Sequence, residues 1–241
     1  VICVDDGSMD NTAQTATEYG ATRITVKNKP EGWTGKSYAC QLGADNAQGD
    51  LLLFLDADVR LSEKAVEKLI HAYLAQRCTI SVQPYHKVQR FYEHLSLFFN
   101  LIMIAANGVS VPFRAKNIGL FGPVILMDAA DYRHAGGHTG VKSSIVDDLT
   151  LGENLRTAGL RFRLFLGGKD ISFRMYAGGL RQLQQGWTKN FATGASKTSL
   201  FLVAMIVLWI AVCTTGVINF IELAFAFSYP KLAESLLVYG F

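Results

Sequence analysis

Leu51-Leu52-Leu53-Phe54-Leu55-Asp56-Ala57-Asp58-Val59 decides how the rest of this chain is read. Five apolar residues in succession suit a strand covered on both faces, and ligands collect at the ends of such strands. The run passes straight into two carboxylates one residue apart. In an extended segment Asp56 and Asp58 point to the same side, where like charges repel unless a cation lies between them. Hard oxygen ligands suit Mg²⁺ or Mn²⁺, ions that also grip substrate phosphates. A plain strand followed by an Asp-rich turn has the same letters, so the surroundings have to decide.

Those surroundings alternate between strand and helix. Residues 1–4 (VICV) read as a buried strand, and with no Met ahead of them the chain reads as truncated, its first strand missing. The turn Asp5-Asp6-Gly7-Ser8-Met9-Asp10-Asn11-Thr12 leads to a helix over 13–19 that stops at Gly20. A strand over 22–26 and the loop 28–36, with Gly32, Gly35 and Lys36, precede a helix whose small face is Ala39, Gly43, Ala44 and Ala47. After the Asp-Ala-Asp strand, Ser62 caps a helix over 62–75. Further on come a strand over 120–127, a short helix over 129–135, and the turn Gly136-Gly137-His138. A helix over 147–158 is closed by Gly159, and a last strand covers 162–166. This pitch predicts an α/β fold with a mostly parallel sheet and crossover helices.

Half of the 241 residues are hydrophobic and 18% are charged, a balance that leans towards a membrane. Residues 199–221 carry no charge and are long enough to cross a hydrocarbon core of about 30 Å, so a transmembrane helix is expected there, with a long core helix as the plainer reading. Lys189 and Lys197 just before it place the N-terminal part on the cytoplasmic side of the cell membrane. Residues 222–241 are apolar again, as an interfacial helix or another span. The chain therefore divides into a catalytic part, 1–190, and a membrane region, 191–241. Residues 95–111 suit an interfacial or acceptor-groove helix, or equally a core helix. The four cysteines lack metal-ligand spacing, and the net charge of +3 forms no basic run. Zinc, a disulfide framework and nucleic-acid binding are not indicated.

Three acidic clusters, Asp5/Asp6, Asp56/Asp58 and Asp147/Asp148, follow strands or open helices. Together VDDGSMDNT (5/6 cluster), NKPEGWTGKSYAC (28–40), LLFLDADV (52–59) and IVDDLTLGENLRTAG (145–159) resemble family 2 glycosyltransferases of the GT-A fold, over nearly the whole chain. The resemblance is nearest to the carotenoid- and hopanoid-associated branch. It implies inverting transfer of a sugar from a nucleotide-diphosphate donor, such as a UDP-sugar, to a lipid or polyisoprenoid acceptor. It also implies that Asp6 and Asp5 hold the nucleoside, that Lys36 neutralises pyrophosphate, and that Asp58 binds the metal with Asp56 touching ribose or metal. Asp148 becomes the general base, with Asp147 where the family motif usually has Glu. Trp187 matches the Trp of the family's QxxRW signature. Leu183 stands in the Gln position and Gly186 in the Arg position, leaving Arg181, Gln184 or Lys189 as substitutes; Trp187 also reads as an interface anchor. His138 lines the acceptor site or is an ordinary turn residue. Two other readings compete. One is a phosphatase of the haloacid dehalogenase type, with Asp56 as nucleophile and Asp147/Asp148 holding Mg²⁺. The other is a truncated, non-catalytic transferase acting as a binding module.

Overall fold

The computed structural model describes residues 1–107, 109, 119–144, 146–197 and 200–226. The chain falls into two compact units, Val1–Gly194 and Ala195–Phe241.

In the first unit, β1 (Ile2–Asp5) pairs in parallel with β2 (Thr22–Thr25) across α1 (Thr12–Glu18). Helix α2 (Gly35–Asp45) starts at Thr34, whose hydroxyl accepts from Ser37 N–H at 3.2 Å. The apolar run becomes β3 (Leu51–Leu55). It lies in a four-stranded sheet of order β3-β7-β5-β8, with β5 at Thr79–Gln83, β7 at Val124–Asp128 and β8 at Phe162–Leu166. A smaller sheet joins β4 (Val59–Leu61), β9 (Ile171–Phe173) and β6 (Tyr85–His86).

The mostly parallel sheet expected from the alternation is corrected to a mixed one. β7 runs antiparallel to both β3 and β5, and β4 antiparallel to β9, while β5 and β8 are parallel. Strand β7 is buried on both faces. Ile125 and Met127 join Leu52, Tyr132, Leu151 and Leu155 on one side; Val124 and Leu126 join Ile80, Val82 and Leu69 on the other. Each such side chain contributes about 1.5–3 kcal/mol by leaving water.

Helix α3 (Ala65–Gln76) begins later than expected and has no side-chain cap. Ser62 instead bonds Asp170 at 2.7 Å, in the turn before β9. Helix α5 (Ala129–His134) is capped by Asp128, which accepts from Ala130 and Asp131 N–H. Helix α6 covers Asp147–Thr157, and β9 follows the strand expected to be the last.

Helix α4 (His94–Ala106) turns its polar residues inward: Ser96 and Asn100, with Asn107 at its end, are buried, while Leu95, Leu97 and Leu101 are exposed. Residues 108, 110 and 111 of the expected 95–111 segment lie outside the described residues. Helix α7 covers Leu180–Lys197.

In the second unit, α8 covers Leu200–Ala226, 27 residues. Among the described residues no helix is long and apolar enough to cross a membrane. The span expected over 199–221 is thus not shown; Ser199 lies outside the described residues, as do residues 227–241.

Candidate active site

Four segments distant in sequence meet at the start of α2. Lys36 Nζ, one residue into that helix, stands 2.8 Å from Asp56 Oδ1 at the end of β3. Burial works against the Lys36 charge, but Asp56, Asp147 and Asp148 outweigh it and hold the ammonium well above the ordinary lysine range. One fixed cation facing three carboxylates is an arrangement for binding and moving charge, and it lies where a strand end and a helix start converge.

Asp56 and Asp58 meet differently from expectation. The strand ends at Leu55, and Val59 N–H donates to Asp56 C=O at 3.1 Å, so the pair sits on a tight turn and not on alternate residues of an extended segment. The two still feel each other: loss of hydration, then the Asp56 charge, pushes the Asp58 carboxyl above its ordinary value. Asp58 is exposed, so water screens much of that repulsion. Among the described residues no group of three His, Cys, Asp or Glu side chains is gathered to hold a metal. Two carboxylates on an open turn nonetheless fit a hard cation whose remaining ligands come from a substrate diphosphate and water.

Asp147 and Asp148 open α6. Asp147 is buried and Asp148 is partly covered. Close backbone approach sets their position. A Cβ on Gly152 would stand 2.9 Å from Gly119 Cα, so α6 rests on the 119–122 segment where only glycine fits. A Cβ on Gly122 would meet Asp148 Oδ2 at 2.7 Å. Burial, then the charge of Asp147, pushes the Asp148 carboxyl up to about 6, with Lys36 acting in the opposite sense. A carboxylate raised towards neutrality suits a general base.

The Asp5/Asp6 pair divides its work. Asp5 is buried; Ser8 N–H donates to its Oδ1 at 2.8 Å and Arg23 to its Oδ2 at 3.0 Å. These contacts, Ser8 first, hold its carboxyl below the usual range and brace the turn after β1. Asp6 is exposed and lies over Gly35, where a Cβ would run into its Oδ2. It is therefore Asp6 that adjoins the start of α2 beside Lys36.

His138 is buried, and burial, then the Lys36 charge, lowers its pKa to about 4. Tyr132 O–H donates to Gln41 at 3.0 Å and accepts from His138 N–H at 3.0 Å, with His138 Nδ1 2.9 Å away. This network ties α2 to the Gly-Gly-His turn. Cys40 keeps its thiol, its pKa pushed up to about 12 by burial despite Lys36.

Trp187 lies in α7 directly after Gly186. A Cβ on Gly186 would run into the Tyr176 ring, so a side chain there needs that ring to move. Arg23, Gly122 and Gly152 were not singled out in the sequence. The only local signal for the glycines was their setting, just before a strand and one turn after Asp147/Asp148.

This chain belongs to a sugar-transferring enzyme class. Residues 1–122, just over half of the 241-residue chain, match the sequence model of glycosyl transferase family 2, and the chain belongs to that family. It is 41% identical over 222 residues to the 4,4'-diaponeurosporenoate glycosyltransferase of Staphylococcus haemolyticus, covering 89% of this chain and 59% of that protein. The protein of the same name from Staphylococcus aureus (strain USA300) is 40% identical over 216 residues, 87% of this chain and 58% of that one. The chain thus spans about three-fifths of the length of these curated relatives. Among solved structures, glucosyl-3-phosphoglycerate synthase from Mycobacterium tuberculosis, crystallised with Mn²⁺ and UDP-glucose, shares the fold. Its TM-score is 0.53 at 18% identity, over 82% of this chain and 67% of that one. Family membership removes the ground for the phosphatase reading.

Proposed function

We propose that the chain is the catalytic part of an inverting glycosyltransferase that moves a sugar from a nucleotide-diphosphate sugar, a UDP-sugar, to a carotenoid acid or similar polyisoprenoid. The observation that carries this reading is the convergence of Lys36 with Asp56, Asp147 and Asp148 from three separate segments. The relatives' printed activity supports the acceptor, and the Mn²⁺ and UDP-glucose of the shared-fold structure support the donor and metal.

Each residue then has a task. Asp6 accepts from the nucleoside, with Asp5 bracing its turn. Lys36 offsets diphosphate charge. Asp58, with Asp56, would hold Mg²⁺ or Mn²⁺, which when bound stabilises the departing nucleotide diphosphate. Asp148 takes the proton of the acceptor oxygen as that oxygen bonds to the anomeric carbon and the bond to the diphosphate breaks on the opposite face. A carboxylic acid acceptor in apolar surroundings arrives protonated, because desolvation raises its pKa, so it too needs the base. Trp187 keeps its place as the donor-side residue of the degenerate QxxRW signature.

The same reading sets the protein at the cell membrane with the catalytic part cytoplasmic and 191–241 as the membrane region. In support, residues 200–221 carry no charge. The leucines that α4 exposes add an apolar surface.

The test is Asp58→Asn in the full-length parent protein, assayed with labelled nucleotide sugar and lipid extract over a Mn²⁺ titration. Loss of metal-dependent transfer is expected. Full activity of the variant in chelator overturns the assignment.

A further inference from the structure

Away from the charge cluster, the ends of β5, β6 and β8 and the side of α4 enclose a cavity of about 450 Å³, within the range of about 300–1,000 Å³ usual for small-molecule sites. Val88, Leu97, Leu101, Ile104 and Leu166 give it apolar walls, and its described lining includes no Lys, Arg, Asp or Glu. Five polar side chains interrupt the walls: Tyr85 and His94 are exposed, whereas Gln83, Asn100 and His86 are each more than nine-tenths buried.

These three form a relay. Gln83 Nε2 donates to Asn100 Oδ1 at 2.8 Å, and Asn100 Nδ2 donates to His86 Nδ1 at 2.7 Å. Burial, before any neighbouring charge, holds His86 below the ordinary histidine value, so the ring is neutral. With Nδ1 accepting, the ring proton is on Nε2. That atom is buried with no hydrogen-bond partner among the described residues. At the other end the relay leaves Gln83 Oε1 as an acceptor. Turning both amides over reverses the polarity, giving a donor at Gln83 and an acceptor at His86. In either sense the relay ends in one donor and one acceptor. A hydroxyl, which both donates and accepts, suits whichever end it meets. An ionised carboxylate only accepts, so it suits the donor end alone, and no Lys or Arg lines the described walls to offset its desolvation.

We propose that this cavity binds an apolar chain bearing a hydroxyl, a long-chain or isoprenoid alcohol, with the hydroxyl on the Gln83–Asn100–His86 relay and the chain along the leucines of α4. The Ser81 hydroxyl, on the same face of β5 as Gln83, donates to Phe121 C=O and accepts from Phe121 N–H, and Phe121 precedes the glycine on which Asp148 leans. Ser81 and Gln83 are about 7 Å apart along a strand. The proposal rests on the cavity and its relay, not on the transferase reading.

The experiment is photolabelling of the purified full chain in lipid nanodiscs, without donor or turnover, using a diazirine-bearing hexadecanol. Adducts are mapped by mass spectrometry while unlabelled hexadecanol, hexadecane or hexadecanoate at pH 8 competes. Adducts within residues 83–104 are expected, with hexadecanol competing at about tenfold lower concentration than either of the others, the worth of one good hydrogen bond. Removing both ends of the relay, His86→Phe with Gln83→Leu, should abolish the preference for alcohol over alkane. Leu101→Trp, at an exposed wall position, fills the cavity and should cut labelling about tenfold with an unchanged circular dichroism spectrum. Labelling outside 83–104, equal competition by hexadecane, or indifference to Leu101→Trp overturns the proposal. None of these outcomes depends on sugar transfer, so the two readings fail separately.

Discussion

Asp148 should set the acid limb of the pH–rate profile. Its carboxyl lies at about 6 against an ordinary 3.8; the difference of about 2.2, at 1.36 kcal/mol each, corresponds to roughly 3 kcal/mol in favour of the protonated form. The base works only when deprotonated, so activity is lost as pH falls through about 6. Roughly nine-tenths of the enzyme is competent at pH 7 and roughly one-tenth at pH 5. Asp147 is the second cause of the rise after burial, so Asp147→Asn should move the limb downward by up to roughly one pH unit. Lys36→Met should move it upward, because the ammonium lowers the Asp148 value. Asp148→Asn should keep donor affinity within about 1 kcal/mol, a few-fold, while most turnover disappears. The assay is kcat/KM against pH in the full-length parent with labelled donor, beside calorimetry of donor binding to each variant. A wild-type limb near pH 4, a limb unmoved by Asp147→Asn, or equal loss of binding and rate in Asp148→Asn refutes the reasoning.

Three further outcomes are expected. Gly186→Arg, which supplies the arginine of the family signature, should lower the melting temperature, since any side chain there meets the Tyr176 ring; Tyr176→Ala should relieve the loss, and a stable single variant would show that the ring accommodates arginine. Gly152→Ala should destabilise by about 1–3 kcal/mol in chemical denaturation, because its Cβ meets backbone at 2.9 Å, and a neutral result would mean that α6 can move off residues 119–120. Carbonate extraction of membranes should leave the protein in the pellet, and cysteine labelling in intact cells should spare the catalytic part; release to the supernatant contradicts the membrane assignment.

Strand β3 and its passage into Asp56 were legible because five apolar residues in a row have few other homes. The opening of α6 at Asp147/Asp148 was legible because acidic residues favour helix starts. Strand direction was not. The letters of β7 announce a buried strand, but its antiparallel course depends on how the chain returns after α4, a property no local pattern carries. Ser62 has the chemistry of a helix cap, yet it bonds Asp170, more than a hundred residues away in sequence. The same limit hid Arg23 behind Asp5 and Tyr176 behind Gly186, where the partner that explains the residue is distant in sequence. The facing of helix α4, left open between an interfacial and a core helix, was hidden for a related reason: Asn100 answers to Gln83 and His86, leaving the leucines outward.

The central claim, sugar transfer to a polyisoprenoid acid by the Lys36 and Asp148 site, is tested most directly by expressing the full-length parent in a host that makes carotenoid acids. The extracted pigments are then read by mass spectrometry. The account predicts a pigment that gains one hexose, and no such product with Asp148→Asn. Pigments without added hexose, alongside labelled sugar in a polymer or polyprenyl phosphate, would contradict the acceptor assignment, and hexose addition undiminished in Asp148→Asn would contradict the site.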